Sequence, residues 1–170
     1  MKVINVHERA LDATAEQVGA LIDSLASEED GLWPHHVWPQ MEFDRPLAVG
    51  ATGGHGPIRY FVEEYAPGQF IRFSFTKPKG FNGTHRFEVV QMPERAVVLR
   101  HTLDMTVNGF SLFSWPLIYR PIHDTVFEDA LDRAQTSLGQ TPQIVPWSPR
   151  VRFLRWVLSG GKPRPQIPPV

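Results

Sequence analysis

Pro121-Ile122-His123-Asp124-Thr125-Val126-Phe127-Glu128-Asp129-Ala130-Leu131-Asp132-Arg133-Ala134-Gln135-Thr136-Ser137-Leu138 is the stretch whose reading decides the fold. Ile122, Val126, Phe127, Ala130, Leu131, Ala134 and Leu138 recur every three or four residues. At about 100° per residue that spacing gathers them on one side of a helix. Asp124, Glu128, Asp132 and Gln135 fall on the opposite side and read as the solvent face. Pro121 suits a first turn, where its missing N–H is no loss, and Gly139 suits the stop. His123 lies within the apolar arc, so an imidazole is aimed at the surface that receives Phe127.

What the helix covers has to come from the preceding residues. Four strand-length runs, 58–66, 70–77, 84–92 and 96–107, are separated by Pro67-Gly68, Gly80-Phe81-Asn82-Gly83 and Pro93-Glu94-Arg95, each a turn signal. They predict an antiparallel meander whose alternation assigns every side chain to a face. Ile71, Phe73 and Phe75 mark the apolar face. A turn centred on Pro67-Gly68 places Tyr60 opposite Phe75 and Val62 opposite Phe73. His85, Phe87 and Val89 follow from the next strand, then Val97, Leu99, His101, Leu103 and Met105. His85 and His101 then occupy diagonal positions on neighbouring strands, within mutual reach.

Upstream, 3–11 reads as a strand with imperfect alternation, and Thr14 with Gln17 fits a capping box opening a helix over 14–27. Two short strands are expected in 41–54, with the glycines between Gly50 and Gly56 in a bend that lacks the lysine and helix of a phosphate-binding loop. Between the helix and these strands lies the aromatic connection Trp33-Pro34-His35-His36-Val37-Trp38. Adjacent histidines in extended chain point apart and no third ligand has a diagnostic spacing, so no metal site is expected there. The connection 109–120, rich in Phe, Leu and Trp, is too apolar for a solvated loop and should partly line the space between helix and sheet.

Composition narrows the function classes. The chain has 170 residues, 42% hydrophobic and 21% charged, enough for one domain with a real core. Its formal net charge of −1 gives no global field for nucleic acid. Absence of cysteine removes thiol nucleophiles and thiolate metal sites. No signal-peptide pattern and no membrane-length apolar run occur, so a cytoplasmic location is the default.

The order strand, helix, aromatic connection, six antiparallel strands and long helix, with Gly56-Pro57-Ile58-Arg59-Tyr60, Tyr65-Ala66-Pro67-Gly68 and Trp115-Pro116-Leu117-Ile118 through Leu131, resembles the START-like SRPBCC superfamily of polyketide cyclase/dehydrase and lipid-transport proteins. The resemblance covers about residues 1–140. It implies an α+β helix-grip fold, in which a curved seven-stranded antiparallel sheet wraps a long C-terminal helix around a hydrophobic cavity. Members hold lipids, sterols, polyketides, hormones or isoprenoids, and some are cyclases or dehydratases. No residue set here matches a catalytic signature of the superfamily, so the resemblance implies a cavity and no mechanism.

Residue parity supplies the expected walls: Tyr60, Val62, Phe73, Phe75, Phe87, Leu99 and Leu103 from the sheet, with Phe127 and Ala130 from the helix. His85, His101 and His123 are the polar groups, and Trp33, Trp38, Lys77, Lys79 and Phe81 are candidates for a portal. A buried imidazole without a partner costs on the order of 1–3 kcal/mol, so the three either pair with core groups, anchor a ligand or exchange protons with one. The expected partner is a small hydrophobic molecule, with no cofactor or metal. Binding is favoured over catalysis because no carboxylate or nucleophile stands visibly beside the histidines.

Residues 141–170 are different material. From Gln140 onward the chain carries seven of its sixteen prolines, which argues for irregular backbone, and no acid follows Asp132. One short helix, capped by Ser148 and running over 149–158, carries Val151, Phe153, Leu154, Trp156, Val157 and Leu158 among arginines. Such a segment docks on its own domain or a second subunit, or lies weakly on an anionic membrane. Residues 162–170 are expected to be extended and mobile.

Overall fold

The computed structural model describes residues 1–92 and 97–161, which excludes the expected turn Pro93-Glu94-Arg95 and the expected mobile tail. Seven antiparallel strands, β1 (Lys2–Leu11), β2 (Met41–Phe43), β3 (Thr52–His55), β4 (Ile58–Ala66), β5 (Phe70–Lys77), β6 (Phe81–Gln91) and β7 (Val97–Val107), form one sheet in the order β1-β7-β6-β5-β4-β3-β2. Helix α1 (Ala15–Asp23) follows β1, and α2 (Ser111–Ser114), a π-helical turn (Trp115–Tyr119) and α3 (Arg120–Ser137) follow β7. Helix α4 (Pro149–Leu158) ends the described chain. The architecture is the α+β helix-grip arrangement expected from sequence.

The register of β4 and β5 matches the expectation by an indirect route. The turn contains three residues, since Ala66 pairs with Phe70, and a bulge at Glu63 absorbs the extra one. Tyr60 therefore still faces Phe75, and Val62 faces Phe73. On β6 and β7, His85 pairs with Leu103 and Phe87 with His101, which puts the two histidines on the diagonal. Strand β6 starts earlier than predicted because Phe81 and Asn82 pair with Val107 and Thr106 instead of turning. Gly53 and Gly54 likewise belong to a strand, not to a bend. Thr14 and Gln17 form the capping box, but α1 stops at Asp23, short of the expected 27. The Asp23 carboxylate then accepts the Gly68 N–H at 2.9–3.0 Å, tying the helix end to the β4–β5 turn.

The long helix begins ten residues before the expected Pro121, at Ser111, so 111–120 of the apolar connection is helical. It contains two prolines, and two carbonyls left over where the π-turn meets Pro121 are taken by another element. In the π-helical turn the Arg120 N–H bonds back to Trp115, bypassing the Pro116 carbonyl, and Pro121 has no N–H to give Leu117. Arg150 of α4 donates to both orphans, at 3.2 Å to Pro116 and 2.7 Å to Leu117.

Asp124, Glu128 and Asp132 of α3, which the helical wheel reads as the solvent face, are turned toward β1 and not wholly to solvent, with Asp132 buried and the other two partly exposed. On β1 the polarity is inverted: Asn5, His7 and Arg9 point toward α3 while Ile4 and Val6 are exposed. Every second strand residue advances about 6.6 Å and every fourth helix residue about 6.0 Å, so the two repeats stay in step. Asn5 donates to Asp124 at 2.8 Å, His7 Nδ1 lies 2.7 Å from Glu128, and Arg9 donates to Glu128 and Asp132, each at 2.9 Å. Arg9 also bonds Gln135. Arg9, Asp132 and Gln135 are buried in this seam.

Val126, Phe127, Ala130, Leu131 and Ala134 fill the other side of α3 and meet Phe73, Phe87 and Leu99 in the main core cluster. A second cluster, Val3, Phe81, Leu103, Met105, Val107 and Trp115, sits toward the other end. Helix α4 packs on the same domain through buried Val151. Trp38 and Trp147 both donate to one Asp129 oxygen, at 2.7 and 2.9 Å, and the Arg155 guanidinium lies over both rings, 4.3 and 4.1 Å from their centroids.

Candidate functional site

A cavity of about 710 Å³ lies between sheet, α3 and α4. Phe75, His85 and Leu103 line it from the sheet, with Trp115, Tyr119, Ile122, His123, Val126 and Phe127 from the long helix. Trp33, Trp38, His55 and Ile58 form the opposite wall, and Arg155 and Leu158 of α4 stand at its edge. It has members of both core clusters in its walls, so it occupies the place where the two would otherwise join.

Of the residues expected in the walls, Phe75, His85, Leu103, His123 and Phe127 line the hollow. Val62, Phe73, Phe87, Leu99, His101 and Ala130 are buried in solid packing beside it, and Tyr60 is reached through His55. Trp33, Trp38 and Phe81 line it too, whereas Lys77 and Lys79 do not. Two histidines missed by the sequence reading join the group. His55 stands at the end of β3, its Nδ1 3.0 Å from the Tyr60 hydroxyl, and its ring lies 4.5 Å from Trp33. His7 lies opposite His101 across the β1–β7 pair.

These rings form a connected set. His85 Nδ1 is 3.2 Å from His101 Nε2, and His101 stacks on Phe127 at 3.4 Å between centroids. His101 is 5.3 Å from His123, which is 5.7 Å from His7. A neutral imidazole offers one donor and one acceptor, so the His85–His101 contact uses one of each. His85 Nε2, His101 Nδ1 and both nitrogens of His123 remain buried without a protein partner.

Burial disfavours the charged form of every ring facing the hollow. It lowers His55 to about 3, and it lowers His85 and His101 well below the ordinary histidine value, with His123 adding repulsion in each case. His123 is lowered by burial against the pull of Asp124. Burial raises the Tyr60 hydroxyl. At neutral pH these groups are uncharged hydrogen-bonding partners. His7 behaves differently: burial opposes its charge, but Asp124 and Glu128 outweigh it and raise the ring to about 9. His35 and His36 stand apart from this set, with ring centroids 6.3 Å from each other and nearly perpendicular planes.

No family model matches the chain, and no curated protein does. Solved structures share its fold. Truncated norcoclaurine synthase from Thalictrum flavum superposes with a TM-score of 0.60 at 16% identity, over 83% of this chain and 96% of that one. A Thermobifida fusca protein gives 0.58 at 18% identity, over 82% and 96%. CalU16 from Micromonospora echinospora gives 0.56 at 13% identity, over 94% and 87%. The synthase has also been solved in complex with dopamine and hydroxybenzaldehyde. At these identities the likeness establishes the helix-grip fold. Among the described residues no helix is long and apolar enough to cross a membrane.

Proposed function

We propose that the protein binds one small, largely apolar molecule in the cavity under α3, as a carrier or sensor, with His85, His123 and His55 meeting its polar atoms. The observation that carries this reading is a hollow of about 710 Å³ whose wall holds buried imidazole nitrogens that no protein group satisfies. Ligand pockets are commonly 300–1,000 Å³, apolar, with a few convergent polar groups. Unpartnered nitrogens on an otherwise apolar wall are costly unless a ligand hydroxyl or carbonyl completes them. A structural neighbour that takes dopamine and hydroxybenzaldehyde is consistent with aromatic or polyketide-like ligands. A lipid or an isoprenoid fits the same wall.

Burial favours the uncharged form of His55, His85 and His101, which suits them to hydrogen-bond a bound molecule, and a cyclase or dehydratase role would use the same rings as neutral bases. Native mass spectrometry of the purified protein tests the reading. A co-purifying lipophile of one mass class supports it; a ligand-free protein that takes up no aromatic, isoprenoid or fatty-acid probe overturns it.

A second reading concerns delivery. Phe153, Trp156, Val157 and Leu158 of α4 are exposed, as are Phe110, Phe113 and Leu117, while Val151, Arg150 and Arg155 hold the helix on the domain. The outward face of α4 then touches an anionic membrane from which an apolar ligand is drawn. Co-sedimentation with phosphatidylglycerol vesicles, lost in Phe153→Ser/Trp156→Ser, tests it.

A further inference from the structure

We propose that His7, His123 and Asp124 form a binding site for a divalent transition-metal ion of the zinc class, at the seam between β1 and α3, with an open coordination position toward the cavity. Their ligand atoms all lie within 4.8 Å of one another. His7 Nε2 is 3.4 Å from Asp124 Oδ1, and His123 Nδ1 is 3.6 Å from the same oxygen. Zinc bonds of about 2.0–2.2 Å in a tetrahedron require ligands about 3.3–3.6 Å apart, so two of the three edges already have the right length. The third, between the two imidazole nitrogens, is at most 4.8 Å.

The unpartnered atoms point to the same place. His7 Nε2 and both His123 nitrogens are buried and make no hydrogen bond, although Asp124 is close enough to tempt both rings. His7 Nδ1 is held by Glu128 at 2.7 Å, and Glu128 is held in turn by Arg9 at 2.9 Å. A carboxylate on one imidazole nitrogen fixes the tautomer that presents the other nitrogen as a lone pair, the arrangement that orients histidine ligands of zinc. Asn5 steadies Asp124 at 2.8 Å. His123 also lines the cavity, so the open position would face a bound molecule and could take its carbonyl or hydroxyl oxygen. The competing occupant is a second proton on His7, at Nε2 and directed at Asp124 while Nδ1–H stays with Glu128. That occupant leaves both His123 nitrogens unsatisfied, whereas a metal ion uses one.

This inference does not depend on the cavity holding an apolar ligand. The test is direct metal binding by the full chain, stripped with chelator and titrated with Zn²⁺ and with Co²⁺, whose absorption reports coordination geometry. One Zn²⁺ per chain is expected, with the intense visible bands of tetrahedral Co²⁺. Asp124→Asn, which keeps the bond from Asn5, and His123→Gln should each weaken binding at least a hundredfold while circular dichroism stays that of the parent. Glu128→Gln should weaken it about 10–100-fold. His35→Ala/His36→Ala should leave it unchanged. Binding that survives His123→Gln and Asp124→Asn, or that disappears with the His35/His36 pair, overturns the proposal. So does an absence of stoichiometric binding by the folded parent protein.

Discussion

Helix α3 meets the sheet in two ways. Toward β1 it presents acids at every fourth position to polar residues at every second, and each of these side chains finds a partner, with His7 Nε2 alone among them left without a hydrogen bond. Toward β4–β7 it presents Phe127 and His123 to an apolar wall, and there the packing leaves 710 Å³ open and imidazole nitrogens unsatisfied. Polar groups are buried in both places; those in the seam are paired but for His7 Nε2, whereas four nitrogens of His85, His101 and His123 are not. The difference separates groups that hold the fold from groups that await something else.

Removing a seam residue should therefore destabilise, and removing cavity histidines should not. The largest effect is expected for Arg9→Met, which leaves Asp132 buried without its cation. Breaking one half of a buried pair costs about 3–5 kcal/mol, and chemical denaturation would show it. A smaller loss would mean that Gln135 and water satisfy Asp132 unaided.

Asp129 comes next, because it belongs to neither region and titrates. Burial raises it from 3.8 to about 6, against the hydrogen bonds from Trp38 and Trp147. A folded-state value above the unfolded one contributes stability below about pH 4, and that contribution is lost as the pH rises through 6. Between pH 4 and pH 7 the stability of the parent relative to Asp129→Asn should fall by about 2–3 kcal/mol, since each pH unit of difference is worth about 1.4 kcal/mol. Paired denaturation curves at the two pH values check the sign.

For the cavity, His85→Leu/His101→Leu removes a buried polar pair with two unsatisfied nitrogens. Stability should rise by about 1–3 kcal/mol while affinity for a polar-headed ligand falls. A loss of stability would place these rings with the seam. The smallest effect is expected from Arg150→Ala, which exposes the Pro116 and Leu117 carbonyls to water and costs about 1 kcal/mol by thermal melting.

The contrast between the two regions also explains what the sequence disclosed. Pairings such as Tyr60 with Phe75 were legible because turn residues and alternation fix parity, and the three-residue turn and the bulge at Glu63 cancelled. The diagonal of His85 and His101 followed from the same parity. His7 was hidden because β1 carries polar residues inward and Ile4 and Val6 outward, so imperfect alternation was the only trace of it. Its signal was the match between Asn5, His7, Arg9 and Asp124, Glu128, Asp132, which requires strand and helix to be read together. The helix start was missed because Pro116 and Pro121 normally break helices, and Arg150, about thirty residues on, takes the carbonyls of Pro116 and Leu117. Which apolar side chains surround a void and which pack solid depends on side-chain volume across several strands. Alternation assigns a face and not a depth, so Phe73 and Phe87 read the same as Phe75.

The central claim is that the space under α3 is an occupied site and not a packing defect. Val126 lines that space from the helix, and Val126→Trp would push an indole into it from the face away from the seam. The decisive measurement is a fluorescence titration of parent and variant with an uncharged aromatic probe such as N-phenyl-1-naphthylamine. The parent should bind one probe per chain, and the variant, still folded by circular dichroism, should bind at least tenfold more weakly. Equal binding by the two proteins would show that the probe sits elsewhere and would contradict the account.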